Sequence, residues 1–412
     1  MENWIESKIE DTSIQMIDGD RGKNYPKNSD FFSQGYCLFL NAGNVTKTGF
    51  SFSENSFITE NKDRMLRKGR LERNDVIITT RGTVGNVALY DSSVPYEHLR
   101  INSGMLILKG GRDILPEYLY YFLKGKSFQA QLSLYVSGTA QPQLPKSTLG
   151  KMMISFPVEL NVQKKICGIL KSLDDKIAVN KKICENLEAQ AQALFKHWFV
   201  DFAPFKDGKF VESELGLIPE GWRVCTLGEI CKCELGGTPS RAKKSYWGGN
   251  IAWINSGEVN KFRICEASEF ITEDGLNHSA TKLLPAKTTV LAITGATLGQ
   301  VSLLEIDSCA NQSVVGVKEN EIIPYTFIYP AIKCNINKLI NMQTGGAQQH
   351  INKDNIQSLQ IIEAPKNIME EYKLLTLPLY EEIGILCFEN LRLATLRDTL
   401  LPKLMSGDLS LE

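Results

Sequence analysis

Basic, amide and aromatic side chains collect in a few stretches rich in glycine, serine and proline, where turns are expected. Arginine reads guanine and amide side chains read adenine through paired hydrogen bonds, whereas lysine positions phosphates. If the partner is a nucleic acid, these stretches are the candidates for its contacts in both halves of the chain. The candidates in the first half are Arg21, Lys23, Tyr25, Lys27, Thr80, Arg81, Thr83, Thr139, Gln141 and Gln143. Those in the second half are Arg241, Lys243, Lys244, Tyr246, Trp247, Thr294, Thr297, Gln348, Gln349 and His350.

Chemistry at a metal ion or at a nucleophile is not predicted. Cys225, Cys231, Cys233 and Cys265 do not show the paired Cys-x2-Cys spacing of structural zinc sites. Small thiols packed in a strand explain them instead. The four histidines lie far apart, no Pro-Pro pair is present, and the Gly-Lys-Ser at 125–127 lacks the earlier glycine of a phosphate-binding loop. We therefore expect no catalytic residue, no metal site and no cofactor in this chain.

The composition is that of an ordinary globular protein, with 43% hydrophobic and 23% charged residues. The net charge is −1, and it splits into +2 for residues 1–150, +2 for 151–205, −2 for 206–365 and −3 for 366–412. No segment has the basic balance of a protein that binds DNA unaided. No apolar run is as long as a membrane span, and the N-terminus lacks a signal-peptide pattern. With ten cysteines read as reduced thiols, we expect a cytoplasmic protein without membrane contact.

The most informative feature is an internal duplication, with an offset of 206–214 residues between the copies. Residues 35–47 align with 249–261, 57–60 with 270–273, and 76–89 with 290–303. The ungapped alignment places Arg81 against Gly295. Residues that match between the copies are explained by shared structure, whereas residues that differ in equivalent loops are better candidates for reading a sequence. A solvated loop at 21–27 and a strand-to-strand turn at 80–83 remain the alternatives that need no ligand.

Each copy combines short β-rich runs with a helix that starts near a proline, at Pro116 and Pro324, and closes with a long helical stretch. In both stretches apolar residues recur at steps of three and four, which is the seam of a coiled coil. Pro378 is expected to break or kink the start of the second helix. The seam positions are Ile166, Leu170, Leu173, Ile177, Asn180, Leu187, Leu194, Leu379, Ile383, Leu386, Asn390, Leu393 and Leu400, with the two asparagines setting the register.

These elements predict an α+β fold of two similar globular domains separated by two long antiparallel helices, with pseudo-two-fold, circular symmetry. The boundaries are 1–157 and 206–365 for the globular domains, and 158–205 and 366–412 for the helical regions. In a closed circle the C-terminal segment 403–408 leads back toward Trp4. The equivalent join in the middle of the chain links Phe199 to Trp222.

Three segments carry a resemblance to a known family. They are Phe-Lys-His-Trp-Phe-Val-Asp-Phe at 195–202, Ile-Pro-Glu-Gly-Trp at 218–222 and Leu-Arg-Asp-Thr-Leu-Leu-Pro-Lys-Leu-Met-Ser-Gly at 396–407. With the duplication, they resemble the specificity subunit of type I restriction–modification systems over essentially the whole chain. The resemblance implies two target-recognition domains, each reading one half of a bipartite, asymmetric DNA site. The departures from the family pattern are Pro378 and the polar seam positions Asn390 and Arg397.

The resemblance also implies partners. Two methyltransferase subunits would bind the helical regions and carry S-adenosylmethionine, and ATP-driven restriction subunits would join them with ATP and magnesium. This chain would be a non-catalytic subunit. Phe195, Trp198, Phe199 and Phe202 are candidates for contacting a methyltransferase subunit, and packing against the adjacent domain is the alternative. The alternative function is a protein–protein scaffold, or an inactive remnant that no longer reads DNA.

Overall fold

A computed structural model describes residues 3–135, 142–341 and 350–409. The chain divides into two compact units. Unit 1 comprises Met1–Asp175 and Leu393–Glu412, and unit 2 comprises Lys176–Arg392. Each unit therefore contains one of the predicted globular domains together with part of each long helix.

Unit 1 is built from eleven strands and all or part of six α-helices in its described part. The strands are β1 (Trp4–Lys8), β2 (Gln15–Asp18), β3 (Cys37–Leu40), β4 (Val45–Thr46), β5 (Gly49–Phe50), β6 (Phe57–Ile58), β7 (Val76–Thr79), β8 (Val87–Leu89), β9 (Leu99–Ile101), β10 (Met105–Lys109) and β11 (Met153–Pro157). The helices are α1 (Glu60–Met65), α2 (Pro116–Lys124), α3 (Lys126–Tyr135), α4 (Lys146–Gly150), the first part of α5 (Leu160–Phe199) and the last part of α10 (Lys366–Ser406).

Unit 2 follows a similar order, with a hairpin added at its start and, in its described part, no counterpart of β4 and β5. Its strands are β12 (Phe210–Ser213), β13 (Gly216–Pro219), β14 (Arg223–Thr226), β15 (Lys232–Leu235), β16 (Trp247–Ile254), β17 (Glu269–Ile271), β18 (Thr289–Ala292), β19 (Val301–Leu303), β20 (Cys309–Ala310), β21 (Val314–Lys318) and β22 (Gln360–Glu363). Its helices are α6 (Leu227–Ile230), α7 (Glu273–Asn277), α8 (Tyr325–Asn341), α9 (Lys353–Gln357), the last part of α5 and the first part of α10 (Lys366–Ser406).

The two units have the same sheet topology. The four-stranded sheet runs β2-β10-β7-β8 in unit 1 and β15-β21-β18-β19 in unit 2. The three-stranded sheet runs β6-β3-β9 and β17-β16-β20, and the closing pairs are β1-β11 and β14-β22. The predicted duplication of a whole α+β domain is therefore confirmed.

Each four-stranded sheet is buried on both faces, which explains its continuous apolar strands. In unit 1, Ile78 faces a core that contains Tyr118 and Phe122 of α2, whereas Ile77 faces Leu38 and Leu40 of the three-stranded sheet. Unit 2 divides its core in the same way. Within the described residues, no helix is long and apolar enough to cross a bilayer.

The strand pairing corrects one alignment that the sequence suggested. The ungapped comparison matches Val76 with the identical Val290. In the sheets, however, Val76 lies opposite Leu89, whereas Thr289 lies opposite Leu303. The structural equivalent of Val76 is therefore Thr289, one residue earlier than the ungapped comparison places it.

This shift matters because a one-residue slip in a strand moves every side chain to the opposite face. The predicted match of Arg81 with Gly295 is wrong for the same reason, and the equivalent of Arg81 is Thr294. The loop that follows the strand is one residue longer in unit 2. It connects Thr79 to Asn86 in unit 1 and Ala292 to Gln300 in unit 2, each pair joined by the same backbone hydrogen bond of 2.9 Å.

The long helices pair antiparallel in unit 2, as predicted. The Asn180 amide donates to Asn390 at 3.0 Å, and the Cys184 thiol approaches the carbonyl oxygen of Ile383 at 3.9 Å. Later residues of α5 therefore meet earlier residues of α10. In unit 1, the Arg397 guanidinium donates to Asp174 at 2.7 Å, so this predicted departure from an apolar seam forms an ion pair.

The predicted seam residues divide into a buried and a half-buried set. The buried ones are Ile166, Leu170, Asn180, Ile383 and Leu386. The half-buried ones are Leu173, Ile177, Leu187, Leu194, Leu379, Asn390, Leu393 and Leu400. On α10 the stripe also includes Thr376, Tyr380 and Leu401, which are buried more deeply than their neighbours on the predicted seam.

The predicted break at Pro378 is wrong, because α10 continues as helix from Lys366 to Ser406. A proline removes one backbone hydrogen bond. The residues around it are held by burial, since Tyr372, Thr376 and Tyr380 are all fully buried. Tertiary packing of this face therefore stabilises the helix more than the proline weakens it.

The predicted return of the chain to its start is confirmed within unit 1. Gly407 follows α10 with a φ of +77°, in the left-handed region. A Cβ at this position would lie 2.7 Å from the indole nitrogen of Trp4, so the glycine permits close contact with that ring. The equivalent contact in unit 2 joins Phe199 and Trp222, whose ring centroids are 5.6 Å apart.

Candidate nucleic-acid interface

One end of the four-stranded sheet in unit 1 brings together three of the predicted loops. A cleft of about 290 Å³ lies between the end of β2, the turn after β7 and the segment before α4. Three chain segments far apart in sequence therefore present side chains to one surface. The predicted residues that line the cleft are Arg21, Thr80, Arg81 and Gln143, and Lys146 joins them.

Backbone hydrogen bonds fix the walls of this cleft. The N–H of Thr80 donates to Gly104 at 2.7 Å, and the N–H of Leu144 donates to Thr80 at 3.0 Å. Arg81 and Gln143 then form an isolated antiparallel bridge. The exposed Arg81 side chain therefore extends from an anchored backbone position, although it lies on a turn.

The next residues close the turn. The Thr79 hydroxyl donates to the carbonyl oxygen of Thr83, whose own side chain is exposed. Gly82 and Gly85 both have positive φ, and a Cβ on Gly85 would lie 2.2 Å from Leu132. These glycines are therefore required by the turn itself, as the alternative interpretation of this segment held.

A neighbouring concavity of about 320 Å³ contains basic residues that the sequence reasoning missed. Arg67 and Lys68 line it together with Arg21 and Asp20. Asp20 accepts hydrogen bonds from the backbone N–H groups of Arg67 at 2.7 Å and Gly22 at 2.6 Å. The basic run Arg-Lys-Gly-Arg at 67–70 was the sequence signal that could have indicated this surface.

Two buried charges hold the loop that carries Arg67 and Lys68. The Arg100 guanidinium pairs with Asp63 and donates to the carbonyl oxygens of Lys68 at 2.7 Å and Leu66 at 3.2 Å. Burial alone raises the pKa of Asp20, but its backbone hydrogen bonds from Arg67 and Gly22 outweigh burial and lower that pKa. Asp20 therefore stays ionised beside the basic residues.

The rest of the loop at 21–27 has mixed roles. Lys23 and Lys27 are exposed, whereas the Tyr25 ring packs edge-on against Phe39 at 5.8 Å. The backbone N–H of Lys27 donates to Asp30 at 2.8 Å. Arg21 itself donates to the Ser103 carbonyl at 3.2 Å. Tyr25 thus serves the core of unit 1, while the charged groups remain at the surface.

In unit 2 the corresponding basic loop is tied to its own neighbours. Arg241 makes a two-pronged ion pair with Glu269 and stacks on Trp247, with 3.6 Å between the guanidinium carbon and the ring centroid. Lys243 donates to the hydroxyl of the buried Tyr246 at 2.8 Å. Four of the five candidates in this loop therefore use their side chains in contacts that stabilise the loop itself.

The fifth candidate, Lys244, is exposed. The indole N–H of Trp247 donates to the Ser240 carbonyl at 3.2 Å, which again closes the loop on itself. Sequence alone could not separate these two uses, because the same residue types serve a folded loop and a DNA contact.

The remaining candidates of unit 2 occupy the place equivalent to the unit 1 cleft. Thr294 and His350 form an isolated antiparallel bridge, and the N–H of Ile351 donates to Ile293 at 3.0 Å. The Thr297 hydroxyl donates to the Thr294 carbonyl at 3.3 Å. The predicted residues Thr139, Gln141, Gln348 and Gln349 lie outside the described residues.

The two bridges define one equivalent backbone position with different side chains. In unit 1 it carries Arg81 and Gln143, and in unit 2 it carries Thr294 and His350. The loop after the first strand of the four-stranded sheet differs as well. Counting from the register of that sheet, Thr238 of unit 2 stands where unit 1 has Arg21.

The aromatic residues predicted to contact a partner are mostly internal. Phe195, Trp198 and Phe199 are 4%, 7% and 5% exposed and belong to the core of unit 2, with Tyr372 among their ring contacts. The half-buried Phe202 packs edge-on against Trp222 at 5.6 Å. The burial of these rings therefore favours the alternative, packing against the adjacent domain, because they hold α5 to its own domain.

The cysteines show the environment of packed hydrophobic side chains. Burial raises the pKa of Cys231 to about 12 and that of Cys233 to about 11, which keeps both thiols protonated. No group of three potential metal ligands is found in the part of the chain that the structure describes.

The family described as type I restriction modification DNA specificity domain matches residues 1–189 and 219–369. A type I restriction enzyme specificity subunit of Methanocaldococcus jannaschii, MjaIX, is 30% identical over 342 residues, covering 82% of this chain and 78% of that protein. The HindI specificity subunit of Haemophilus influenzae is 24% identical over 458 residues, covering 95% and 98%.

A crystal structure of a type I restriction–modification S subunit from M. genitalium shares the fold. Its TM-score is 0.60 at 18% identity, covering 98% of this chain and 96% of that one. The duplicated domains, the paired helices and the sequence matches agree with one another. The chain belongs to the specificity subunits of type I restriction–modification systems, the non-catalytic members that recognise the DNA target.

Proposed function

We propose that unit 1 and unit 2 each read one half of a bipartite, asymmetric DNA site, through the loops at the equivalent end of their four-stranded sheets. The observation that carries this proposal is the pair of equivalent bridges, Arg81–Gln143 and Thr294–His350. A duplicated fold that presents different side chains at the same backbone position supports recognition of two different half-sites.

The chain acts within a complex that also contains other subunits and DNA. Two methyltransferase subunits supply adenine methylation with S-adenosylmethionine, and restriction subunits supply ATP- and magnesium-dependent cleavage in the cytoplasm. In this proposal those cofactors bind to the partner subunits. Its net charge of −1 supports such a division, because phosphate contacts supply much of the affinity for DNA and the partners would contribute them.

A domain exchange tests the assignment of half-sites. Residues 1–157 are replaced by the equivalent domain of a specificity subunit with a different target, and adenine methylation is mapped across the genome of cells that carry the complete system. We expect one half of the methylated motif to change and the other half to persist. Exchange of residues 206–365 should change the opposite half.

The control keeps the original residues 1–157 but carries the junction sequences of the chimera. Its methylated motif should be that of the wild type. If both exchanges leave the motif unchanged, the globular domains do not read DNA and the chain is a scaffold. A gel-shift comparison tests the division of labour. We expect weak binding by the chain alone and tight, specific binding with methyltransferase subunits, and tight, specific binding by the chain alone would contradict it.

A further inference from the structure

The side chain of Arg81 stands apart from the other arginines of the globular domains. Within the described part of residues 1–157 and 206–365, every other arginine has a hydrogen bond, ion pair or ring contact through its guanidinium group. Arg241 pairs with Glu269, Arg263 with Glu188, and Arg100 with Asp63. The exposed guanidinium of Arg81 has no partner among the described residues.

The backbone of Arg81 is nevertheless fixed. Its N–H donates to Gly104 at 3.2 Å, the preceding residue donates to the same carbonyl at 2.7 Å, and its bridge partner is Gln143. An anchored backbone, with a guanidinium that has no partner among the described residues, reduces the conformational entropy lost when that group binds a ligand. Arg81 thus has the properties expected of a recognition residue.

Its surroundings include groups that read base edges. The cleft holds the amide of Gln143 and the hydroxyl of Thr80 as well as Arg81, together with Lys146 and with Arg21, which lies 3.8 Å from the carboxylate of Asp18. Amides and hydroxyls read base edges, whereas the neighbouring cations position phosphates. The planar guanidinium matches the O6 and N7 acceptors of guanine, which is the commonest specific contact of arginine.

We propose that Arg81 is a specificity-determining residue that reads a guanine in the half-site of unit 1. The equivalent position in unit 2 holds Thr294, which lacks the paired donors, so the half-site of unit 2 is read there without an arginine. This inference rests on the proposed function, because it requires unit 1 to read one half-site.

The test uses Arg81→Ala and Arg81→Gln in the complete restriction–modification complex, with adenine methylation mapped across the genome. The wild-type motif should contain a guanine in the half that changes when residues 1–157 are exchanged. We expect Arg81→Ala to lose about 10- to 100-fold discrimination at that one base pair, and Arg81→Gln to shift the preference there toward adenine. The other half of the motif should persist, which also reports a folded complex.

The matched control is Arg112→Gln, because Arg112 is an exposed arginine of the same unit beyond the opposite end of β10. It should keep the wild-type motif. A duplex with 7-deazaguanine at the assigned position removes the N7 acceptor. It should weaken binding by the wild-type complex and have no further effect on the Arg81→Ala complex.

Three results would overturn the inference: an unchanged motif with both variants, a change confined to the other half, or equal weakening of all sequences with an unchanged melting temperature. The proposed function fails separately, when exchange of residues 1–157 changes neither half of the motif. If the motif changes with the domain exchange but not with the Arg81 variants, only the role of Arg81 is refuted.

Discussion

The buried charges around Glu188 give the sharpest prediction about the stability of unit 2. Glu188 on α5 accepts hydrogen bonds from Arg263 at 2.6 Å and from Lys333 at 3.0 Å. The Arg263 side chain is fully buried, and its other polar partners include the hydroxyl of Tyr329 at 3.2 Å and the carbonyl of Phe262 at 2.8 Å. This network joins α5, α8 and the loop before β17 within one unit.

We expect Glu188→Gln to destabilise unit 2 by about 3–5 kcal/mol, because it leaves the fully buried Arg263, and the partly exposed Lys333, beside a neutral amide. The Glu305 carboxylate, 3.7 Å from Arg263, remains as a counter-charge and moves the expected destabilisation toward the lower end of this range. For a unit of this size, such a loss lowers the melting temperature by roughly 6–20 °C. The measurement is differential scanning calorimetry of the full chain at pH 7.

The control is Glu185→Gln, an exposed glutamate three residues earlier on the same helix. Its effect should stay within about 0.5 kcal/mol, as for other surface changes. A melting temperature for Glu188→Gln within 2 °C of wild type, or equal effects of both variants, would refute the reasoning that the buried pair stabilises this unit.

The same variant should respond to pH with a definite sign. Burial alone raises the pKa of Glu188, but the charges of Arg263 and Lys333 outweigh it and hold the pKa below the ordinary value of 4.5. The carboxylate therefore contributes its full stabilisation above pH 4.5, and this is lost as the pH falls through the lower, folded-state pKa. The difference in the free energy of unfolding between Glu188→Gln and wild type should therefore decrease as the pH falls below the folded-state pKa of Glu188.

Three further measurements follow from the described contacts. Gly407→Ala should lower the melting temperature of unit 1, because it adds a Cβ at a φ of +77° and 2.7 Å from the indole nitrogen of Trp4. An unchanged melting temperature would contradict that contact. Asn180→Ala should lower the free energy of unfolding in urea by about 1–3 kcal/mol, because the amide oxygen of Asn390 loses its donor at 3.0 Å. An unchanged free energy of unfolding would show that Asn180 does not stabilise the helix pair. Ellman's reagent at pH 8 should modify the exposed Cys334 well before the buried Cys231, whose pKa is about 12; similar rates, followed by mass spectrometry, would show that the burial is not maintained.

The duplication and the long helices could be predicted from the sequence because both leave regular patterns. Apolar residues at steps of three and four predicted α5 from about residue 161, and the structure begins it at Leu160. The strand runs at 76–80 and 105–108 were recognisable because both faces of that sheet are buried, which makes the strands almost continuously apolar.

The alignment of the two copies could not be settled by residue identity. Val76 matches Val290 by type, but Thr289 is its structural equivalent, because hydrogen bonding between strands sets the register. A single inserted residue in the following loop is invisible to an ungapped comparison. For the same reason, the relation between Arg81 and Thr294 became apparent only in the folded sheets.

The chemistry of the loops also depended on tertiary structure. Arg241 and Arg81 are equally plausible base-reading residues in the sequence, yet one pairs with Glu269 and stacks on Trp247 while the other has no partner among the described residues. Phe199 likewise belongs to an aromatic run that suited a docking surface and is buried in a core. The sequence determined which residue types and periods are present, because these are local. The fold decided which groups are already satisfied, because hydrogen bonding and burial depend on neighbours that are distant along the chain.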